Sequence, residues 1–289
     1  MILGESPGRI PPAMCPPPTK DALIALNLEG KISHARQVME DALREFGSER
    51  TLLAWTGGKD STLLLWILKD LCAEESLAMP RCLFINEGHV FDEIIAFVAL
   101  WTKKLSLHVD HVRNDDVHNL AKGAIGAKIK VADLDGRNQA EIARLGIEKP
   151  SFVYEAESFI GNHLMKTVAM NRFLEQAGAD AVITGIRWDE QDARRNETAF
   201  SPRTDPDHTR IHPILPFNER EVWDAHFHLD VPYCSLYADG YRSLGAAGTT
   251  TKTADTPAWE QDLEGSIERG GRRQDKENLM ERLRDLGYM

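Results

Sequence analysis

The sequence predicts an α/β protein built on a doubly wound, mostly parallel sheet, with a C-terminal extension. Between residues 51 and 112, short apolar runs of strand length alternate with longer segments of helical spacing. The runs at 51–55, 81–85 and 181–184 each feed directly into a glycine-bearing turn, where open α/β sheets bind their ligands. The composition is that of an ordinary globular chain: 289 residues, 42% hydrophobic and 27% charged, enough apolar material for a sizeable core.

Residues 31–46 carry apolar side chains at a spacing near 3.6 and stop at Gly47, which predicts an amphipathic helix. The strand at 51–55 enters Thr56-Gly57-Gly58, and the following run, 62–72, is apolar nearly all round, as in a buried helix. A second strand at 81–85 ends at Asn86-Glu87-Gly88. A helix over 91–105 and a strand over 107–112 come next. Residues 113–155 have weak periodicity and read as a long insertion or lid. A long helix over 158–178 contains Lys166, and the strand at 181–184 runs into Gly185. Beyond it lie an Arg-dense polar stretch (187–203), a strand-like segment (211–216), a helix (219–227), a Gly-, Thr- and Arg-rich stretch (237–273) and a charged helix (274–286). The chain therefore divides into a Pro-rich arm (1–30), a nucleotide-binding domain (31–235) and a tail that closes the site (236–289). The arm is either an extended tail without packing or a segment that docks on a partner subunit.

A net charge of −11 argues against a general grip on nucleic acid, which needs a basic face. No apolar run approaches the roughly 18 residues of a membrane span. Residues 1–19 lack the apolar core of a signal peptide. The four cysteines, Cys15, Cys72, Cys82 and Cys234, form no Cys-x-x-Cys pair, so the chain reads as reduced and cytoplasmic, without a zinc ribbon. The close histidines, His108/His111, His208/His212 and His226/His228, read as packed or exposed side chains, and no metal site is predicted. Trp55, Trp66 and Trp101 read as core.

The chemistry sits at Thr56-Gly57-Gly58-Lys59-Asp60-Ser61. Glycines let the backbone turn sharply and approach an anion closely. The first turn of the next helix adds open N–H groups and partial positive charge. Ser61 adds a hydroxyl donor and Lys59 a full charge. The spacing is not that of the Walker loop. It resembles the Ser-Gly-Gly-x-Asp-Ser loop of the N-type ATP pyrophosphatases, with Thr56 in place of the first Ser. That resemblance implies the adenine nucleotide alpha-hydrolase (HUP) type of fold, with ATP as ligand, Mg²⁺ beside it, and cleavage between the α- and β-phosphates.

Other segments resemble the phosphoadenylylsulfate reductases and the small subunit of bacterial ATP sulfurylase. Leu83-Phe-Ile-Asn-Glu-Gly88 stands where the family has Asp-Thr-Gly, keeping only Gly88. His163-Leu-Met-Lys166-Thr167 is similar to the family's His-x-x-Met-Lys-Thr. Gly185-Ile-Arg187-Trp188-Asp189-Glu190 resembles the sulfurylase Gly-Ala-Arg-Arg-Asp-Glu segment. Arg194, Arg195 and Phe200-Ser-Pro-Arg203 resemble its adjoining Arg-rich stretch. Tyr241-Arg242-Ser243-Leu244-Gly245 resembles Gly-Tyr-x-Ser-Ile-Gly. The stretch from Arg269 to Asp275 and the closing Gly287-Tyr288 resemble the sulfurylase Glu-Arg-x-Gly-Arg…Gly-Tyr end. The reductases of the family use a Cys-Gly near the C-terminus, and no cysteine comes after Cys234. The place of the iron–sulfur cysteines reads Gly245-Ala246-Ala247-Gly248-Thr249. The resemblance thus implies adenylyl transfer from ATP to an oxyanion, sulfate in the sulfurylase, with a GTPase as partner subunit.

On this reading Thr56, Gly57, Gly58, Lys59, Asp60 and Ser61 cradle the pyrophosphate, and Asp60 orients the turn or meets Mg²⁺ through water. Lys166 and Arg187 neutralise phosphate or the incoming anion. Arg194, Arg195 and Arg203 clamp the oxyanion, because planar guanidinium matches phosphate and sulfate. Asn86, Gly88 and Gly185 border the nucleotide, and Arg242, Arg272 and Arg273 close the site from the tail. The competing readings are a solvated Lys166 and a surface salt-bridge network joining the arginines to Asp189, Glu190, Asp192 and Glu197. Adenylation of another acceptor, a carboxylate or a nucleobase, and a nucleotide sensor without turnover stay open beside the sulfurylase-like activity.

Overall fold

A computed structural model describes residues 18–156 and 158–271. The arm through residue 17 with Cys15, together with Arg272, Arg273 and the helix expected over 274–286, lies outside them. A short helix α1 (Lys20–Ile24) leads into α2 (Leu28–Phe46). Helix α2 begins before residue 31 because the Asn27 side chain caps it, accepting the Gly30 N–H. Strand β1 (Thr51–Ala54), helix α3 (Lys59–Glu74), strand β2 (Arg81–Ile85), helix α4 (Asp92–Leu105) and strand β3 (Val109–Val112) succeed one another as the alternation predicts.

Residues 113–155 depart from the loop expected there. They fold into α5 (Asp115–Leu120), β4 (Lys128–Lys130), α6 (Gly136–Arg144) and β5 (Ser151–Val153), with β4 and β5 antiparallel. Val117, Ile129, Leu134, Ile142 and Phe152 share a small core with Leu164, Met165 and Val168 of the next helical segment. Elements this short bury one or two side chains each, so they leave no readable period in the sequence.

The helix expected over 158–178 is α7 (Phe159–Asn162), a π-helical stretch (His163–Val168) and α8 (Ala169–Ala177) in continuous succession. Strand β6 (Ala181–Ile183), the hairpin β7 (Phe200–Arg203) and β8 (His208–Ile211), and helix α9 (Glu219–His228) complete the domain. The strand-like reading at 211–216 holds only for its first residue. Pro213 and Pro216 lack the N–H a ladder needs, and the strand lies before them. Pro202 sits in β7, at the sheet edge, where a missing donor costs least.

The sheet order is β3-β2-β1-β6-β8-β7, parallel throughout except for β7. Successive strand residues face opposite layers. Leu53, Phe84 and Ile183 pack with α2, α3 and α9, whereas Leu52, Leu83 and Val182 pack with Met170 and Leu174 of α8. Both faces are covered, as a parallel sheet requires. The chain winds outward from β1 to β3 and returns on the far side of β1 as β6. The order therefore reverses between β1 and β6, and both strands end there in the expected turns. No described helix is long and apolar enough to cross a membrane.

The hairpin also buries a titratable pair. His208 Nδ1 lies 2.8 Å from the Pro206 carbonyl oxygen, and its Nε2 accepts from Arg210 Nε at 3.4 Å. Burial pushes His208 down to about 4, and burial with Arg210 beside it pushes His212 well below the usual imidazole range. A depressed histidine stabilises the fold fully above its unfolded value and loses that contribution as pH falls toward its folded value. Between pH 7 and 4.5, wild type should therefore lose about 2 kcal/mol more than His208→Gln. Urea unfolding at the two pH values measures this, and parallel losses in both proteins would refute it.

Candidate nucleotide site at the sheet switch point

The turn after β1 is shaped by its own residues. Gly57 has φ +75°, and a Cβ there would sit 2.9 Å from Ile94 Cγ2. Ser61 Oγ lies 3.1 Å from Thr56 Oγ1 and accepts from the Thr56 N–H at 3.2 Å. Helix α3 starts at the N-cap Gly58 without a side-chain cap, so its first turn presents backbone rather than a capping carboxylate. The turn after β6 presses against it: a Cβ on Gly185 would lie 3.0 Å from the Asp60 carbonyl carbon and 3.1 Å from the Ser61 nitrogen. The two turns open into a cavity of about 310 Å³, walled also by Ala54, Phe84, Ile85, Lys166, Thr167 and Arg194. Its size is that of a small-ligand pocket, and its wall mixes apolar residues such as Phe84, Ile85 and Met170 with many polar and charged ones.

The turn after β2 differs from expectation. Asn86 Oδ1 accepts the Gly88 N–H at 2.9 Å, and Gly88 has φ +91° with the Tyr154 hydroxyl 1.9 Å from where a Cβ would stand. Asn86 and Gly88 thus build the turn, and Glu87 between them is the residue that lines the cavity. Its carboxylate pairs with Lys166 Nζ at 2.7 Å. Lys166 and Thr167 both reach the wall from the π-helical stretch, whose wider turn changes which consecutive side chains share a face. The buried Thr167 hydroxyl and His212 Nε2 have no hydrogen-bond partner among the described residues, though Nε2 lies 3.7 Å from Glu197 Oε2, and both residues line the cavity. They are the kind of polar atom that a bound ligand satisfies.

Lys59 departs most from its expected role. Its side chain is 1% exposed, and although Lys59 lines the cavity its Nζ is taken up by protein groups. Nζ donates to Glu268 Oε1 at 2.5 Å and to the Arg242 carbonyl at 3.0 Å, with Glu219 at 3.8 Å. Burial lowers its affinity for the proton, but Glu268 and Asp60 more than offset that and hold it above the usual lysine range. Arg187 is fully buried behind it, paired with Asp60, Glu268 and Asp189, the last at 2.9 Å. Arg242 likewise faces inward, donating to Glu219 at 2.5 Å and to the Asp262 carbonyl at 3.2 Å. It ties the tail down and does not line the cavity.

The remaining arginines divide. Arg194 lines the cavity and pairs with Glu190, which also binds Arg269 at 2.8 Å. Arg195 is 71% exposed with Asp192 at 3.5 Å, and Arg203 pairs with Glu197 at 3.1 Å on the edge strand. Neither lines the cavity, so the expected three-arginine clamp is not assembled. Sequence reasoning missed Tyr237, whose hydroxyl accepts the Lys59 N–H at 2.9 Å, and also Arg210 and Glu268. Glu268 had a signal: it stands where the Glu-Arg-x-Gly-Arg pattern begins. Among the described residues no group of His, Cys, Asp and Glu could hold a metal ion.

A glycine turn at a helix N-terminus, opening at the switch point of a parallel sheet, defines a nucleotide-binding protein of the adenine nucleotide alpha-hydrolase type. Residues 50–252 match the phosphoadenosine phosphosulfate reductase domain, and the chain belongs to that family. A phosphoadenosine 5'-phosphosulfate reductase of Xylella fastidiosa strain M12 is 35% identical over 236 residues, 81% of this chain and 86% of the relative. A probable FAD synthase of Schizosaccharomyces pombe is 33% identical over 264 residues, 86% of this chain and 80% of the relative.

Among solved structures, Candida glabrata FMN adenylyltransferase with FAD and inorganic pyrophosphate matches with a TM-score of 0.60 at 15% identity, covering 89% of this chain and 94% of that one. The phosphoadenylyl-sulfate reductase of Candida auris in its phosphate complex matches at 0.51 and 17% identity, covering 80% and 94%. These two structures share the fold.

Proposed function

We propose that this chain is an ATP-dependent adenylyltransferase. The turn at 56–61 holds the β- and γ-phosphates, an acceptor oxygen attacks the α-phosphorus, and the bond to the bridging oxygen breaks with its electron pair leaving on pyrophosphate. The observation that carries this reading is the glycine turn and first turn of α3 lining the switch-point cavity, with Lys166 and Thr167 in the same wall. Mg²⁺ would arrive with the nucleotide and shield its phosphates.

Among the described residues no cysteine is placed for thiol chemistry. Cys72, Cys82 and Cys234 are buried away from the cavity wall, and burial pushes Cys72 up to about 11 and Cys82 to about 12. Such thiols are poor nucleophiles. As free thiols they suit a reducing, cytoplasmic setting.

Sulfate is the acceptor that the sulfurylase-like motifs favour, and a GTPase partner belongs to that reading. The relatedness to a probable FAD synthase over 86% of this chain favours a second acceptor, the phosphate of FMN. Pyrophosphate release from ATP, measured with sulfate and with FMN, separates the two. Lys166→Met should lower turnover about 100- to 1,000-fold, the size expected when one charge is removed from the reacting phosphate. Its fold should hold, checked by circular dichroism, with a modest fall in melting temperature because the nearly buried Glu87 loses its cation. Undiminished release in the variant, or none with any acceptor in wild type, would remove this assignment.

A further inference from the structure

Two buried cations lie at the phosphate turn, and a tail carboxylate engages both. Glu268 Oε1 receives the Lys59 ammonium, and Oε2 receives the Arg187 guanidinium. Glu268 is itself 9% exposed and lines the cavity beside Gly58, Asp60 and Ser61. Arg187 bridges Glu268 to Asp60 within the turn. A planar carboxylate between an ammonium and a guanidinium has the shape and charge of two phosphoryl oxygens.

The turn that carries Glu268 follows a segment anchored by Arg242, which donates to Ser266 Oγ at 2.5 Å and to the Ser266 carbonyl at 3.3 Å. It is one 3-10 turn, Glu268–Gly271, preceded by Ile267 at 63% exposure, and Arg269 fastens it to Glu190 at 2.8 Å. Among the described residues, five cations (Lys59, Arg187, Arg194, Arg242, Arg269) pair with five carboxylates (Asp60, Asp189, Glu190, Glu219, Glu268) at this place, all but Asp189 buried or half-buried. A nucleotide adds several negative charges to that balanced set, and burying them unpaired is costly. Releasing Glu268 from the cluster would leave Lys59 and Arg187 to pair with the arriving anion.

We propose that Glu268 is an internal stand-in for a substrate phosphoryl group, a residue that sets how strongly the site binds phosphates because it must vacate Lys59 and Arg187 when they bind. The proposal rests on the nucleotide reading of the turn. It also accounts for the burial of Lys59, which departs from the sequence expectation.

The test uses inorganic pyrophosphate and ATP on the full chain, by calorimetry and thermal unfolding. Glu268→Gln should bind pyrophosphate at least 10-fold more tightly than wild type. Glu268→Ala should melt lower without anion and gain more from saturating pyrophosphate than wild type gains, a linkage effect that a purely structural contact does not produce. Folded Glu268→Gln binding pyrophosphate no more tightly than wild type overturns the proposal while leaving the turn assignment standing. Failure of wild type and both variants to bind pyrophosphate or ATP removes the turn assignment, and the proposal with it. A wild-type crystal soaked in pyrophosphate needs no variant: Glu268 withdrawn from Lys59 supports the displacement, and phosphate bound with Glu268 still on both cations refutes it.

Discussion

Lys59→Ala is expected to cost about 3–5 kcal/mol of stability, the size seen when one partner leaves a buried ion cluster. The substitution leaves the Glu268 carboxylate with Arg187 alone, near Glu219 and Asp60, and it leaves the Arg242 carbonyl without its donor. From the sequence alone, loss of turnover with the fold retained would be expected. The structure implies loss of both, because the ammonium joins the tail to the phosphate turn. The melting temperature should fall by on the order of 10 °C. Removing Glu268 as well should cost less than the two single losses added together, since Lys59 and Glu268 are direct partners. A single variant melting with wild type would show that Lys59 does not hold this cluster in solution.

Gly185→Ala should lower pyrophosphate release about 10- to 100-fold with only a small change in melting temperature. The added Cβ meets the Asp60 carbonyl carbon at 3.0 Å and the Ser61 nitrogen at 3.1 Å, which are backbone atoms without a rotamer by which to yield. The phosphate turn must shift by a few tenths of an ångström, and a displacement approaching 1 Å at a reacting group costs about 100-fold. Gly136→Ala is the matched control, because nothing lies within 4 Å of its added carbon. Full turnover in Gly185→Ala would mean that the turn after β1 is not where the phosphates sit.

The alternation over 51–112 is readable because β1 and β2 are continuous apolar runs ending at glycine turns and the helices between the strands span 14 to 16 residues. The insertion at 113–155 is not, because β4 and β5 contribute three residues each and their core is completed by Leu164, Met165 and Val168 from the next segment. At the site, the glycine turn is legible from local chemistry alone. The roles of Asn86, Gly88, Arg195 and Arg242 are not. A motif places a residue in the chain, and the direction of its side chain depends on what packs against it.

The sequence by itself determined a parallel α/β sheet, a phosphate-shaped turn between β1 and α3, and membership of a nucleotide-binding family, because each strand, turn, helix and motif is written in contiguous residues. Only the tertiary structure decided which charges face the cavity. Lys59 meets Glu268 across 209 positions of chain, and Arg187 meets Asp60 across 127. Buried charges settle where their partners neutralise them, and no local pattern records partners brought together from so far apart.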